Sequence, residues 1–156
     1  MMDPESGRYF EDYTVGIEQE VGSVGMSESE IIEFANKYDP QDFHTDPEKA
    51  VSGPFGGLIA SGWHTISVVM RLLVDRYLDN ASSLGSPGID ELRWLAPVRP
   101  GDVLTVRAKV SDARRSNSNP SRGLIHTSVN VSNQDDVPVM TMKAINLVAC
   151  REPEKF

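Results

Sequence analysis

The second half of the chain limits the fold most, because residues 88–150 read as strand after strand with polar turns between them. In "DVLTVRAKV" Leu104, Val106, Ala108 and Val110 alternate with polar or charged residues, and "LIHTSVNVS" alternates Ile125, Thr127, Val129 and Val131. A period of two places such residues on one face of a strand and leaves the other face to water. "GIDELRWLAPV" and the long apolar "VPVMTMKAINLVAC" bring the count to about four consecutive antiparallel strands, joined by "RPGD", "RRSNSNPSRG" and "NQDD".

A sheet with one apolar face needs a cover, and the first half of the chain supplies one. The longest run without charge, from Val51 to Met70, contains Pro54, several glycines, Ser61, His64 and Ser67, and Arg71 follows it. A bilayer span needs ~20 mostly apolar residues, so the run reads as a buried helix of a soluble protein. Glycines 53, 56 and 57 release the chain into a helix expected from about Leu58 to Leu78. Its first four turns are apolar on most sides, so other structure should wrap it. The expected class is α+β: one sheet around one long helix.

Upstream, "IEQEVGSVGM" reads as a short strand, and Ser27 and Glu30 have capping-box spacing. Ile31, Phe34, Ala35 and Tyr38 then share one helical face, giving a helix from about Glu28 to Lys37 that Pro40 ends near Tyr38. Asp46 as cap, Pro47 at the first helical position and Glu48 in the first turn predict a short second helix. Residues 1–16 read as an arm whose aromatics pack on the body, residues 79–87 as a loop and residues 151–156 as a tail. At 156 residues the whole chain, 1–156, is expected to be a single domain.

The net charge is −8, from 15 basic and 23 acidic residues scattered along the chain. Such a surface repels phosphate backbones, so no nucleic-acid partner is expected. Cys150 is the only cysteine, which excludes an internal disulfide and a cysteine-rich metal cluster. The opening "MMDPESGRYF" has neither the basic nor the apolar region of a secretory signal, so a mature chain starting near Met1 and a cytoplasmic location are expected.

"YDPQDFHTDPEKA", residues 38–50, gathers four carboxylates and His44 directly after the first helix. A solvated acidic loop is the ordinary reading. A sharper one pairs Asp39 with His44, since a carboxylate and an imidazole aimed at one water can act as general acid and base. A metal loop fits poorly: the spacing lacks the central Gly and distal Glu of an EF-hand and matches no zinc pattern. The glycines before "LIASGWH" are either a plain helix start or a set of exposed amides that could hold an anion. "GPFGG" is no nucleotide fingerprint and "SGWHT" no GxSxG elbow. His64, Ser67 and Cys150 could supply nucleophile parts, but His64 reads as a packed helix histidine and His126 as a solvent-facing strand residue.

Three stretches in order resemble the MaoC-like (R)-specific enoyl-CoA hydratases and dehydratases over about Tyr9 to Val148: "FANKYDPQDFHTDPEKA", "GGLIASGWHTIS" and "LRWLAPVRPGDVLTV". The resemblance implies a hotdog fold, a curved antiparallel sheet wrapping a long central helix. It implies a hydro-lyase of fatty acyl metabolism that reversibly adds water, in the syn sense, across a trans-2-enoyl-CoA to give a (3R)-3-hydroxyacyl-CoA, with no cofactor besides the CoA of the substrate. Asp39 and His44 match the family's catalytic pair, Gly62 its central-helix glycine whose amide faces the thioester carbonyl, and Ser67 a serine that orients the Asp. Gln41 and Asp42 stand where the family commonly has Asn-Pro, and Ser61 where it often has His.

The expected partners are an acyl-CoA substrate, bound by some of Arg93, Arg99, Arg114, Arg115 and Arg122, and a second copy of the chain in a homodimer; no membrane partner is expected. A hotdog acyl-CoA thioesterase is the first rival, although residues 58–74 carry no carboxylate to activate water for it. A non-catalytic acyl-CoA-binding module is the second.

Overall fold

A computed structural model describes residues 7–153, and these form an α+β fold. The five strands are β1 (Glu18–Gly25), β2 (Gly88–Trp94), β3 (Val103–Arg115), β4 (Arg122–Ser132) and β5 (Pro138–Ala149). They make one antiparallel sheet in the order β1-β3-β4-β5-β2. The alternation seen in the sequence is realised: Leu104, Val106, Ala108 and Val110 of β3 and Ile125, Val129 and Val131 of β4 are buried on one face.

The helices are α1 (Glu28–Tyr38), α2 (Asp42–Thr45), α3 (Pro47–Val51) and α4 (Gly62–Arg76). Val69, Leu72 and Leu73 of α4 join Ile31 of α1 and the inner faces of the strands in one core. Of the arm, residues 7–16 fall within the described part; Tyr13 is buried there and its hydroxyl donates to Tyr77 O at 2.8 Å. Of the tail, 151–153 are described, and residues 1–6 and 154–156 lie outside the described residues.

Two expectations need correction. The long helix starts at Gly62 rather than Leu58, because residues 58–61 are an extended buried segment whose amides are used elsewhere. Ile59 N–H donates to Phe43 O and Ala60 N–H to Val98 O, at 3.0 and 2.8 Å. Nor is α4 wrapped on all sides: Trp63, Met70 and Val74 remain 58%, 42% and 42% exposed. They recur at near-helical spacing and form one apolar stripe.

Candidate active site

Asp39 ends α1. With φ −151° and ψ 67° it leaves helical geometry just before Pro40, as Pro40 requires. The chain turns, and Gln41 caps a four-residue helix, so the segment expected as a plain loop holds α2. This turn brings His44 back to Asp39, with His44 Nε2 3.2 Å from Asp39 Oδ2. His44 is buried, and the Asp39 side chain is 19% exposed.

Both side chains are fixed by polar contacts. His44 Nδ1 lies 2.7 Å from Ile59 O. A carbonyl can only accept, so Nδ1 carries hydrogen and Nε2 is the nitrogen left to exchange a proton. Gln41 Nε2 donates to Asp39 Oδ1 at 2.7 Å, and Ser61 Oγ donates to Asp39 Oδ2 at 2.8 Å. Desolvation pushes the Asp39 carboxyl up, but the donors from Gln41 and Ser61 and the charge of His44 outweigh it and hold the carboxyl below its ordinary value.

Ser61 is also the N-cap of α4, and its Oγ accepts from Trp63 N–H at 3.3 Å. Ser61 O accepts from the amides of His64 and Thr65. The first amides of a helix have no partner inside it. That leaves Gly62 N–H without an acceptor among the described residues. Gly62 lines a cleft of about 390 Å³ whose walls include Phe43, His44, Phe55, Ile59, Trp94 and Leu95. The absence of a side chain is required there: a Cβ on Gly62 would lie inside the Trp94 indole, whose Nε1–H donates to Gly62 O at 3.1 Å. The cleft thus presents a base, an unpaired amide at a helix N-terminus and apolar walls, a set able to activate water beside a polarised carbonyl.

Ser67 is placed elsewhere. Its hydroxyl donates to Trp63 O at 2.7 Å on the exposed side of α4, and the hydroxyl on Asp39 is that of Ser61. The signal for Ser61 was present in the sequence, since Ser directly before an apolar helical run is a preferred N-cap. Asp42 opens α2 and forms an exposed ion pair with Lys49 at 3.7 Å, so its charge is spent at a helix N-terminus and on the surface. Asp46 caps α3 as expected, accepting from the amides of Glu48 and Lys49.

Among the arginines, Arg99 bonds to a residue of the cleft wall, its Nη2 donating to Phe55 O at 2.6 Å. Arg93 is exposed on β2, while Arg114, Arg115 and Arg122 lie at the β3–β4 hairpin, Arg115 bonded to Pro120 O and Glu11. No three His, Cys, Asp or Glu side chains among the described residues are gathered so as to hold a metal ion. No helix among them is long and apolar enough to cross a membrane.

Comparison with known proteins bears on the family and the fold. A MaoC-like dehydratase from Rhodospirillum rubrum has a similar structure, with TM-score 0.84 and 36% identity over 94% of this chain and 99% of that one. The 3-hydroxyacyl-thioester dehydratase Z of Mycobacterium tuberculosis is 29% identical over 110 residues, 69% of this chain and 73% of that protein. A second protein of Mycobacterium tuberculosis, Rv0216, described as a double hotdog fold, matches with TM-score 0.81 and 17% identity over 96% of this chain and 46% of its own, a likeness of fold alone. The model of the MaoC like domain matches residues 13–133, which contain Asp39, His44, Ser61, Gly62 and the cleft. On these grounds the chain is a hotdog protein and belongs to the MaoC-like dehydratase family.

Proposed function

We propose that the protein is a hydro-lyase that reversibly adds water, in the syn sense, across a trans-2-enoyl-CoA to give a (3R)-3-hydroxyacyl-CoA. The observation that carries this reading is the 3.2 Å approach to Asp39 Oδ2 of His44 Nε2, whose residue lines a cleft that Gly62 also lines. A water held between the two side chains loses a proton to the pair as its oxygen bonds to C3. The C2=C3 electrons move toward C2 and the thioester oxygen, where Gly62 N–H and the positive end of α4 stabilise the developing charge. The pair then delivers one proton to C2 on the same face and returns to its starting state.

The acyl group is apolar, because Phe43, Phe55, Ile59, Trp94 and Leu95 line the cleft. A thioesterase would need a carboxylate on the long helix at the cleft. The only one in α4 is Asp75, in its last turn and bonded to Arg71 at 2.9 Å.

The working form is a homodimer. The stripe of Trp63, Met70 and Val74 continues through the edge-to-face contact of Trp63 with Trp94, at 5.6 Å between ring centroids, to the exposed Ile89 and Leu95 beside edge strand β2. An open strand edge beside an apolar face invites a second copy. A double hotdog chain, of which this chain covers 46%, has the length for two such units.

Hydration of crotonyl-CoA, followed by loss of enoyl absorbance, tests the reaction. Asp39→Asn and His44→Asn should each abolish turnover while keeping the fold. Wild-type rates in both variants would remove the assignment, and binding of acyl-CoA without turnover across an enoyl-CoA panel would mark a silent binding module.

A further inference from the structure

The reaction described above uses Asp39, His44 and Gly62 N–H, and one further polar side chain lines the cleft. That side chain is Thr65. It is 1% exposed, and its hydroxyl has no hydrogen-bond partner among the described residues. A threonine inside a helix ordinarily bonds back to the carbonyl four residues earlier. Here that carbonyl, Ser61 O, accepts from the amides of His64 and Thr65 at 3.0 and 3.1 Å, and the Thr65 hydroxyl makes no bond to it. Phe43, Phe55, Trp94 and Leu95 make the surroundings apolar, and the hydroxyl opens on the cleft rather than into the sealed core, so a bound molecule that displaces water from the cleft must either pair it or leave it unpaired, which is unfavourable.

Position on the helix says which atom of that molecule it meets. Thr65 follows Gly62 by three residues, so the two are neighbours on one face of α4. The Cα–Cβ bond of a helical residue tilts toward the N-terminus, and its side chain covers the preceding turn. The Thr65 side chain therefore covers the turn that begins at Gly62, the residue whose amide is free, and both residues line the cleft.

We propose that Thr65 Oγ–H is a second donor to the thioester carbonyl oxygen, acting beside Gly62 N–H. Bound substrate takes up the hydroxyl that the protein leaves unpaired, and the bond strengthens as charge moves onto the oxygen. The inference rests on the hydration reading for its kinetic consequence and on the cleft alone for its binding consequence.

The two parts are tested separately. Crotonyl-CoA labelled with carbon-13 at the carbonyl is bound to Asp39→Asn, which stops turnover, and its carbonyl stretch is read by infrared difference spectroscopy. The band should fall below that of free crotonyl-CoA in Asp39→Asn and in Asp39→Asn/Thr65→Ser, and move back toward the free position in Asp39→Asn/Thr65→Val. Thr65→Ala is the second hydroxyl-free variant should the valine fail to fold. With Asp39 intact, Thr65→Val should lose ~10²–10³ in kcat with KM changed only a few-fold, and Thr65→Ser should recover most of the rate. An unmoved band in the hydroxyl-free variants, or a kcat within twofold of wild type, overturns the proposal. A Thr65-dependent band in a protein that hydrates no enoyl-CoA keeps the donor and removes the hydratase, while failure of crotonyl-CoA to bind removes both.

Discussion

Ser61 Oγ donates to Asp39 Oδ2 at 2.8 Å, to the same oxygen that stands 3.2 Å from His44 Nε2. Gln41 meanwhile occupies Oδ1. The two carboxylate oxygens are thus divided: one is held from the chain's own turn, and the other is shared between the start of α4 and the imidazole.

Ser61→Ala removes a donor to a charged acceptor, an interaction worth about 1.5–3 kcal/mol. The Asp39 carboxylate loses support, so its pKa rises from its lowered position and the base is available only at higher pH. The expected outcome is a fall of about 10- to 100-fold in kcat/KM for enoyl-CoA hydration, with the acid limb of the pH profile moved upward. Ser61→Thr should keep most of the activity. A profile unchanged in Ser61→Ala would show that the hydroxyl serves only as a helix cap.

Gly62→Ala drives a methyl group into the Trp94 indole. Overpacking of this kind costs ~1–3 kcal/mol, to be read as a lower midpoint in urea. Because the clash is with one side chain, Trp94→Leu should relieve part of it, and the double variant should be less unstable than the sum of the two single changes.

His64 is buried between α1 and α4, stacked on Phe34 at 4.9 Å, and its Nδ1 has no hydrogen-bond partner. Burial holds its pKa below the ordinary histidine value, and Glu30 only partly opposes this. The unfolded chain then binds a proton that the folded chain refuses, so this contribution is whole above the unfolded pKa of ~6.5 and is lost as pH falls below it. His64→Phe keeps the stacked ring and removes the titration. Its thermal midpoint should fall less than that of wild type between pH 7 and pH 5.

Met70→Lys and Val74→Lys put charge into the exposed stripe of α4, away from Asp39 and His44. Sedimentation should show the wild type as a dimer and the double variant shifted toward monomer. A wild type that sediments as a monomer at micromolar concentration would remove the homodimer.

Much of this was legible in the residues. The two-residue alternation of β3 and β4 gave the sheet, and Ser27 marked the start of α1, where its Oγ accepts from Glu30 N–H at 3.2 Å. What the sequence did not show follows from one boundary. Reading the glycines at 53, 56 and 57 as the release into the helix placed Ser61 within its first turn, where its hydroxyl would have faced the helix's own backbone. Starting α4 at Gly62 instead leaves Ser61 in extended geometry, φ −56° and ψ 137°, and free to reach Asp39. The N-cap preference of Ser61 favours the later start, but what keeps residues 59 and 60 out of the helix is not local: their amides are claimed by Phe43 and Val98, both distant in sequence.

The lead-in to α4 holds the site from two places two residues apart: Ile59 by its carbonyl on His44 and Ser61 by its hydroxyl on Asp39. In extended chain that interval is a ruler. Adding or deleting one residue between Leu58 and Ser61 would turn one of the two contacts to the opposite face. The same change among glycines 53, 56 and 57 leaves the ruler intact and shifts Phe55 in the cleft wall instead. An engineer who wanted to graft this site would therefore have no freedom of length from Leu58 to Gly62.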